Sequence, residues 1–265
     1  MKKLKMFLSI SLLLILIACG NKEKFPSVEF KYQTTNFNYG NCDSVNFECV
    51  NIKIKSIELF GSIKSNLKDS LSRKVNNFIL APTIGEVGYA SLEELRDSLI
   101  DSYKRTRIDI PDMKVGFELE RSINVETDTL GIFAMKFYEF TFFGGAHPNY
   151  FTTYRNVDLT NGKEIKLNDL LKEGFENELN KIGENIFRNQ KQLKPDENLE
   201  EAGFWFNDGK FKLNDNFIIT KAGLKFFFNS YEIGPYAIGT TELLIPYSRI
   251  KNILKEKSIL RNFIE

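Results

Sequence analysis

Histidine is nearly missing from this chain of 265 residues: there is one, His147, beside three cysteines. That scarcity excludes most zinc sites and every serine or cysteine triad that does not use His147. Proline is also sparse, at 7, and there is a single tryptophan. Net charge of one sign is absent as well, with 36 basic residues against 35 acidic ones. A nucleic-acid binder needs a basic surface to displace counterions, so no nucleic-acid partner is expected. No stretch is apolar over the roughly 20 residues that cross a bilayer as a helix. What remains is ordinary globular composition, 42% apolar and 27% charged, which excludes a disordered chain.

The first residues have a different character. Lys2, Lys3 and Lys5 precede an apolar run, Met6 to Ala18, that is too short to span a membrane and has the form of a secretory signal. It ends in Leu16-Ile17-Ala18-Cys19, which resembles the bacterial lipobox, where a small residue precedes the cysteine whose thiol takes the lipid. Residues 1–18 are therefore expected to be a lipoprotein signal peptide, Cys19 the lipidation site, and 19–27 a polar tether. Membrane association then runs through the lipid. Gly20 stands where an aspartate would favour inner-membrane retention, so the outer membrane is expected over the inner. Loss of the three signal lysines turns the net charge from +1 to −2. Cys42 and Cys49 are left as a pair. In an oxidising compartment this spacing makes a candidate disulfide, with two free thiols as the alternative.

Periodicity then changes along the chain. Val28, Phe30 and Tyr32 alternate, as do Val50, Ile52 and Ile54, giving two strands. Ile63, Leu67, Leu71, Val75 and Phe78 recur at helical spacing, and Ser91 with Glu94 forms a capping box ahead of Leu95, Leu99 and Tyr103. Strands follow from Val115 to Val125, Leu130 to Phe143 and Tyr150 to Leu159, with turns expected at Asp128-Thr129 and Asn161-Gly162. Leu167 opens what reads as the longest helix, through Phe187. Phe204–Phe206 and Phe211–Leu213 flank Asn207-Asp208-Gly209 as a further hairpin. Strands at 217–220, 224–228 and 241–245 and a closing helix at 248–254 complete the chain. Strands and helices come in runs, so the class is α+β with antiparallel sheets and packed helices. Two linked subdomains are expected, 28–157 and 158–265.

Three segments carry a resemblance. Phe142-Phe-Gly-Gly-Ala-His-Pro-Asn149 is the first. The second is the run from Asn156 to Leu171. The third is Tyr231-Glu-Ile-Gly-Pro-Tyr-Ala-Ile-Gly239, followed by Ile245-Pro-Tyr-Ser248. In this order they resemble a pair of extracytoplasmic domains of unknown function. That pair is shared by RsiV-type lysozyme-sensing anti-sigma factors and the N-terminal region of PdaC-type peptidoglycan deacetylases. The resemblance spans roughly residues 45–255. It implies a non-catalytic envelope module, the N-terminal part of the deacetylase-associated type and the C-terminal part RsiV-like. It further implies cell-wall glycan or a lysozyme-like protein as partner. The sigma-binding segment and the deacetylase metal set of those proteins have no counterpart in this sequence.

The candidate site residues follow from these segments. Gly144, Gly145, His147 and Pro148 form one turn, where the glycines permit tight backbone geometry and His147 most simply hydrogen-bonds the loop. Tyr231, Pro235, Tyr236 and Gly239 form another, with a turn read ahead of a ligand groove. Trp205 is read as core packing, with a sugar-stacking platform as the alternative, because strand alternation sets it opposite Phe204 and Phe206. Most of the 24 phenylalanines fall on core faces of these elements and are read as core. Glu139, Asp158 and Glu232 lie near the motifs, but a glycosidase needs two carboxylates at a set separation, which no spacing here encodes. Lys104-Arg105-Thr106-Arg107 reads as the solvated end of a helix. No metal and no cofactor are expected. An envelope carbohydrate hydrolase and a structural lipoprotein stand as the competing classes.

Overall fold

A computed structural model of the chain describes residues 25–42, 48–61, 63–112 and 115–264. The expected signal peptide, Cys19 and the first part of the tether lie outside the described residues. The elements run β1 (Glu29–Asn41), β2 (Glu48–Phe60), α1 (Ser65–Ile79), α2 (Leu92–Asp109), β3 (Phe117–Thr129), β4 (Ile132–Phe142) and β5 (Asn149–Asp158). They continue as α3 (Leu167–Leu170), α4 (Glu176–Lys191), β6 (Phe217–Ile219), β7 (Gly223–Phe228), β8 (Thr241–Pro246) and α5 (Tyr247–Ile250). β1 to β5 form one sheet in sequence order, and β6 to β8 form a second. The class is α+β, as the pattern of runs implies.

One pairing departs from the antiparallel expectation. β2 and β3 are parallel, with Val50 opposite Phe117 and Lys55 opposite Ser122. The helices α1 and α2 lie between them in sequence and carry the chain back to the starting end, which is what a parallel pair requires. Alternation in a strand reports which face is buried and not which way the strand runs.

Leu67, Leu71, Val75 and Ile79 of α1 and Leu95, Leu99 and Tyr103 of α2 are buried in one core with Val50, Ile52, Ile54, Leu119 and Ile123 of the sheet. Ser91 caps α2, its hydroxyl accepting the Glu94 N–H at 3.1 Å. Below the end of α1 sits a buried cation, Arg121 of β3, with 0% exposure. Its guanidinium donates to the Ile79 and Ala81 carbonyls at 2.7 and 2.9 Å, to Thr83 Oγ1 at 2.8 Å and to Glu139 at 2.6 Å. A positive charge is favourable at a helix C-terminus, and here it also takes up otherwise unpaired carbonyls.

β4 serves two cores. Phe133, Met135 and Phe137 face the helices α1 and α2, while Ile132 and Ala134 face a second core built with α4 and the three-stranded sheet. β5 is joined to that sheet by asparagine side chains in place of a ladder. Asn229 accepts the Thr152 N–H at 2.7 Å and donates to the Thr152 carbonyl at 3.1 Å. Asn216 accepts the Tyr154 N–H at 2.8 Å, and Asn156 links to Phe217 and Ile219 of β6 at 2.9 and 2.8 Å. An exposed strand edge is thereby closed without a further strand. The division expected near residue 157 falls at the end of β5, the strand that carries these bonds.

Several local expectations shift. The β3–β4 turn centres on Leu130 and Gly131, with φ of 54° and 77°, and not on Asp128-Thr129. At Asn161-Gly162 only Gly162 is left-handed, φ 73°, so the turn is not type I′. Asp158 builds it instead, accepting from the Thr160 N–H at 2.8 Å through its side chain and from the Gly162 N–H at 2.7 Å through its carbonyl. The long helix expected from Leu167 is two helices. Leu171 leaves α3 in extended conformation to bridge to Leu254, and Gly174 at φ 75° precedes α4. Residues 204–206 and 211–213 form no strand ladder. Phe204, Phe206 and Phe211 instead gather around Phe187 of α4, with ring centroids 4.8, 5.5 and 5.2 Å away.

Candidate functional site

The chain between β7 and β8 brings the first and third resemblance segments together. Asn229 and Glu232 set its start, with the Asn229 N–H donating to the Glu232 carboxylate at 2.8 Å. Tyr231 between them has φ of 67°, a left-handed conformation uncommon outside glycine and asparagine. Pro235 leads into a single tight turn at Tyr236–Ile238, and Gly239, φ 70°, releases the chain into β8. Facing it is the β4–β5 connection, Gly144-Gly145-Ala146-His147-Pro148, where Gly144 has φ of 84°.

The two loops meet through rings. The His147 imidazole stacks on Tyr236, with centroids 3.9 Å apart and planes inclined by 18°. Tyr231 Oη lies 3.1 Å from His147 Nε2. His147 Nδ1 lies 3.1 Å from the Pro148 carbonyl, which also accepts from the Tyr236 hydroxyl at 3.2 Å. A carbonyl only accepts, so Nδ1 carries a proton, and in the neutral ring Nε2 then accepts from the Tyr231 hydroxyl. Both ring nitrogens are thus engaged within the two loops. Tyr231 is 50% exposed.

The three carboxylates near the motifs do not converge. Glu139 pairs with Arg121. Asp158 is tied to Thr160 and to Asn161 Nδ2 at 2.8 Å. Glu232 accepts from Asn229 and from Asn214 Nδ2 at 2.5 Å. Each closes a local structural bond. Among the described residues no three histidine, cysteine, aspartate or glutamate side chains gather as a metal set. No described helix is long and apolar enough to cross a membrane.

Trp205 corrects the core reading, for it is 54% exposed. Its neighbours obey the alternation, Phe204 and Phe206 turning inward, and the Trp205 N–H donates to the Ile233 carbonyl at 3.0 Å. Trp205 lines two open depressions. One is a cleft of about 780 Å³ bounded by the start of α4, residues 206–215 and Glu232. The other is a hollow of about 360 Å³ against residues 206–209. Phe211 and Leu213 form the cleft floor by packing onto α4 at Gly183, where a Cβ would lie 3.1 Å from one and 3.0 Å from the other. Lys210 and Lys212 alternate with them and point outward. That alternation is visible in the sequence, but nothing there marks it as a wall.

At the end of the sheet where the His147 loop lies, Cys42 and Cys49 form a disulfide, joining the β1–β2 hairpin near its tip. The intervening turn at Asp43, Ser44 and Asn46 lies outside the described residues. The basic cluster at the end of α2 reaches this hairpin. Arg107 pairs with Glu48 at 3.3 Å, and Lys104 stands 5.1 Å over the Tyr39 ring.

Comparison with known proteins adds the fold's relatives. No curated protein matches the chain. A crystal structure of a DUF3298 family member from Bacteroides fragilis superposes with a TM-score of 0.70 at 24% identity, covering 91% of this chain and 99% of that one. A DUF3298 family protein from Pseudomonas aeruginosa PAO1 superposes with a TM-score of 0.63 at 20% identity, covering 87% of this chain and 96% of that one. Both share the fold. Residues 168–248, which hold Trp205, the cleft walls and the Tyr231–Gly239 turn, match the family model described as a protein of unknown function, DUF3298.

Proposed function

We propose that this chain is a lipid-anchored, non-catalytic binding or sensing module of the cell envelope. Cys19 carries the anchor, with the outer membrane favoured. The face formed by His147, Tyr231 and Tyr236 recognises a protein partner of the lysozyme-like class. The observation that carries the reading is the contact between two loops 84 residues apart, closed by Tyr231 on His147. Rings held this way present an aromatic, hydrogen-bonding surface with little freedom left to lose, which suits recognition. The partner class is drawn from the resemblance. The same geometry weighs against the hydrolase reading, because His147 and the three neighbouring carboxylates are occupied by structural bonds.

The test is a capture experiment with the Cys19→Ser chain, expected to be released from the membrane. Immobilised lysozyme should retain it, and Tyr236→Ala or His147→Ala should abolish retention while thermal unfolding still shows a cooperative transition. A Cys19→Ser chain that stays in the membrane fraction overturns the anchor. Failure of lysozyme to retain the parent chain overturns the partner. Turnover of cell-wall substrate that is lost on a single Asp or Glu substitution overturns the non-catalytic assignment.

A further inference from the structure

We infer that the Trp205 cleft is a saccharide-binding site, taking an uncharged or N-acetylated oligosaccharide with one sugar ring stacked on the indole. The inference rests on the reading of the chain as a binding module but uses residues other than His147, Tyr231 and Tyr236. A single exposed ring is ordinary on a protein surface, and Trp205 is set apart because it lines two depressions at once. Trp205 is the only tryptophan in the chain, it is 54% exposed, and it lines depressions of about 780 and 360 Å³. A volume of this size lies within the range of small-ligand sites, and an indole face offers the C–H face of a sugar a flat apolar partner.

The walls suit a polyol. Glu176, Asp208 and Asp215 supply acceptors, and Lys210 and Lys212 supply donors. None of these five side chains makes a hydrogen bond or ion pair among the described residues. By contrast Asn180 and Asn214, also at the cleft, are committed to Leu213 and to Phe227 and Glu232. A hydroxyl both donates and accepts, so a mixed wall matches it along its length. A phosphate-rich ligand would meet the three carboxylates and Glu232. A long apolar ligand would leave both charge types desolvated and unpaired. The floor is preformed, because Phe211 and Leu213 are buried against α4. Little ordering is then needed on binding.

The lone tryptophan makes the site its own reporter. N-acetylglucosamine oligomers titrated into the full chain should change its intrinsic fluorescence saturably, and calorimetry should give the same midpoint. Trp205→Ala should weaken binding by about tenfold or more, and Asp215→Ala should weaken it without altering the floor. Trp205→Phe should retain part of the affinity. Because Trp205 and Asp215 are exposed, all three variants should keep the parent's unfolding midpoint. Absence of both heat and fluorescence change overturns the inference, as does undiminished binding by Trp205→Ala. Lysozyme capture that persists without any saccharide binding leaves the binding-module reading standing and removes this site alone. Saccharide binding that survives Tyr236→Ala assigns the ligand to the cleft and not to the His147 face.

Discussion

Asn229 holds both backbone groups of Thr152, accepting its N–H at 2.7 Å and donating to its carbonyl at 3.1 Å. A side-chain amide has the same donor and acceptor as a peptide unit, so one residue stands in for a strand at the β5 edge. Thr152 O has a second donor, Asn216 Nδ2 at 2.8 Å, whereas its N–H has Asn229 alone. Asn229→Ala should therefore orphan a buried N–H and cost about 2 kcal/mol in denaturant unfolding. Asn229→Asp should retain the acceptor and set a carboxylate against a carbonyl. Burial raises that group's pKa in the folded state above its unfolded value, so the deficit against the parent should be full at neutral pH and narrow in acid. An equal deficit at all pH values would contradict this.

Arg121 is the buried charge on which the end of α1 and β3 depend. Arg121→Met should destabilise by about 3–5 kcal/mol, because the Ile79 and Ala81 carbonyls and Glu139 lose their donor together. Arg121→Lys should recover little of this, since one ammonium cannot span the same fork of acceptors. Chemical denaturation of the two variants checks both statements, and near-parent stability of the lysine variant would show the bonds to be dispensable.

Glu118 lies on β3 where burial raises its carboxyl pKa, with Glu120 adding repulsion and Lys53 opposing both. A raised folded-state value means that the protonated form is favoured by folding. Its stabilising contribution is complete below the unfolded pKa, about 4, and is lost as the pH rises through the folded value. Glu118→Gln should raise the thermal midpoint at neutral pH, and the gain should shrink as the pH falls through the raised folded value and be gone below about 4. Melting curves across that window read the sign directly.

Reduction of the Cys42–Cys49 bond opens a small loop at the β1–β2 tip. Closing a loop of this size stabilises by about 2.5 kcal/mol in the chain-entropy model, so Cys49→Ser should lower stability by about that much. Mass spectrometry should show a gain of two protons in the parent on reduction. Hydrogen exchange should rise first in β1, an edge strand whose side chains are mostly exposed.

The sequence reveals α1 and α2 well, because Leu67, Leu71, Val75 and Leu95, Leu99, Tyr103 repeat at the helical period and Ser91 marks a start. It reveals the faces of β4 for the same reason. It is silent on the parallel β2–β3 pairing, since alternation carries no direction. It is silent on Asn156, Asn216 and Asn229, because an amide that replaces a ladder leaves no periodic trace among the other asparagines. Leu130 in a left-handed turn and Trp205 on the surface both run against residue-type preference, and only the packing of their neighbours explains them. His147, Tyr231 and Tyr236 are legible as members of turns. Their contact depends on β4, β5, β7 and β8 all being in place.

Phe25 and Pro26 pack near Gly131, where a Cβ would lie 3.5 Å from the phenylalanine ring and 3.8 Å from the proline ring. Gly131 directly precedes the strand Ile132–Phe142, which ends two residues before the His147 loop. That strand measures about 33 Å at the usual rise, and it separates the chain's first described residues from the recognition loops. A lipid at Cys19 would thus hang the molecule by one end of the five-stranded sheet. The sheet would act as a strut, holding the histidine loop and the disulfide tip clear of the headgroups and facing outward into the envelope.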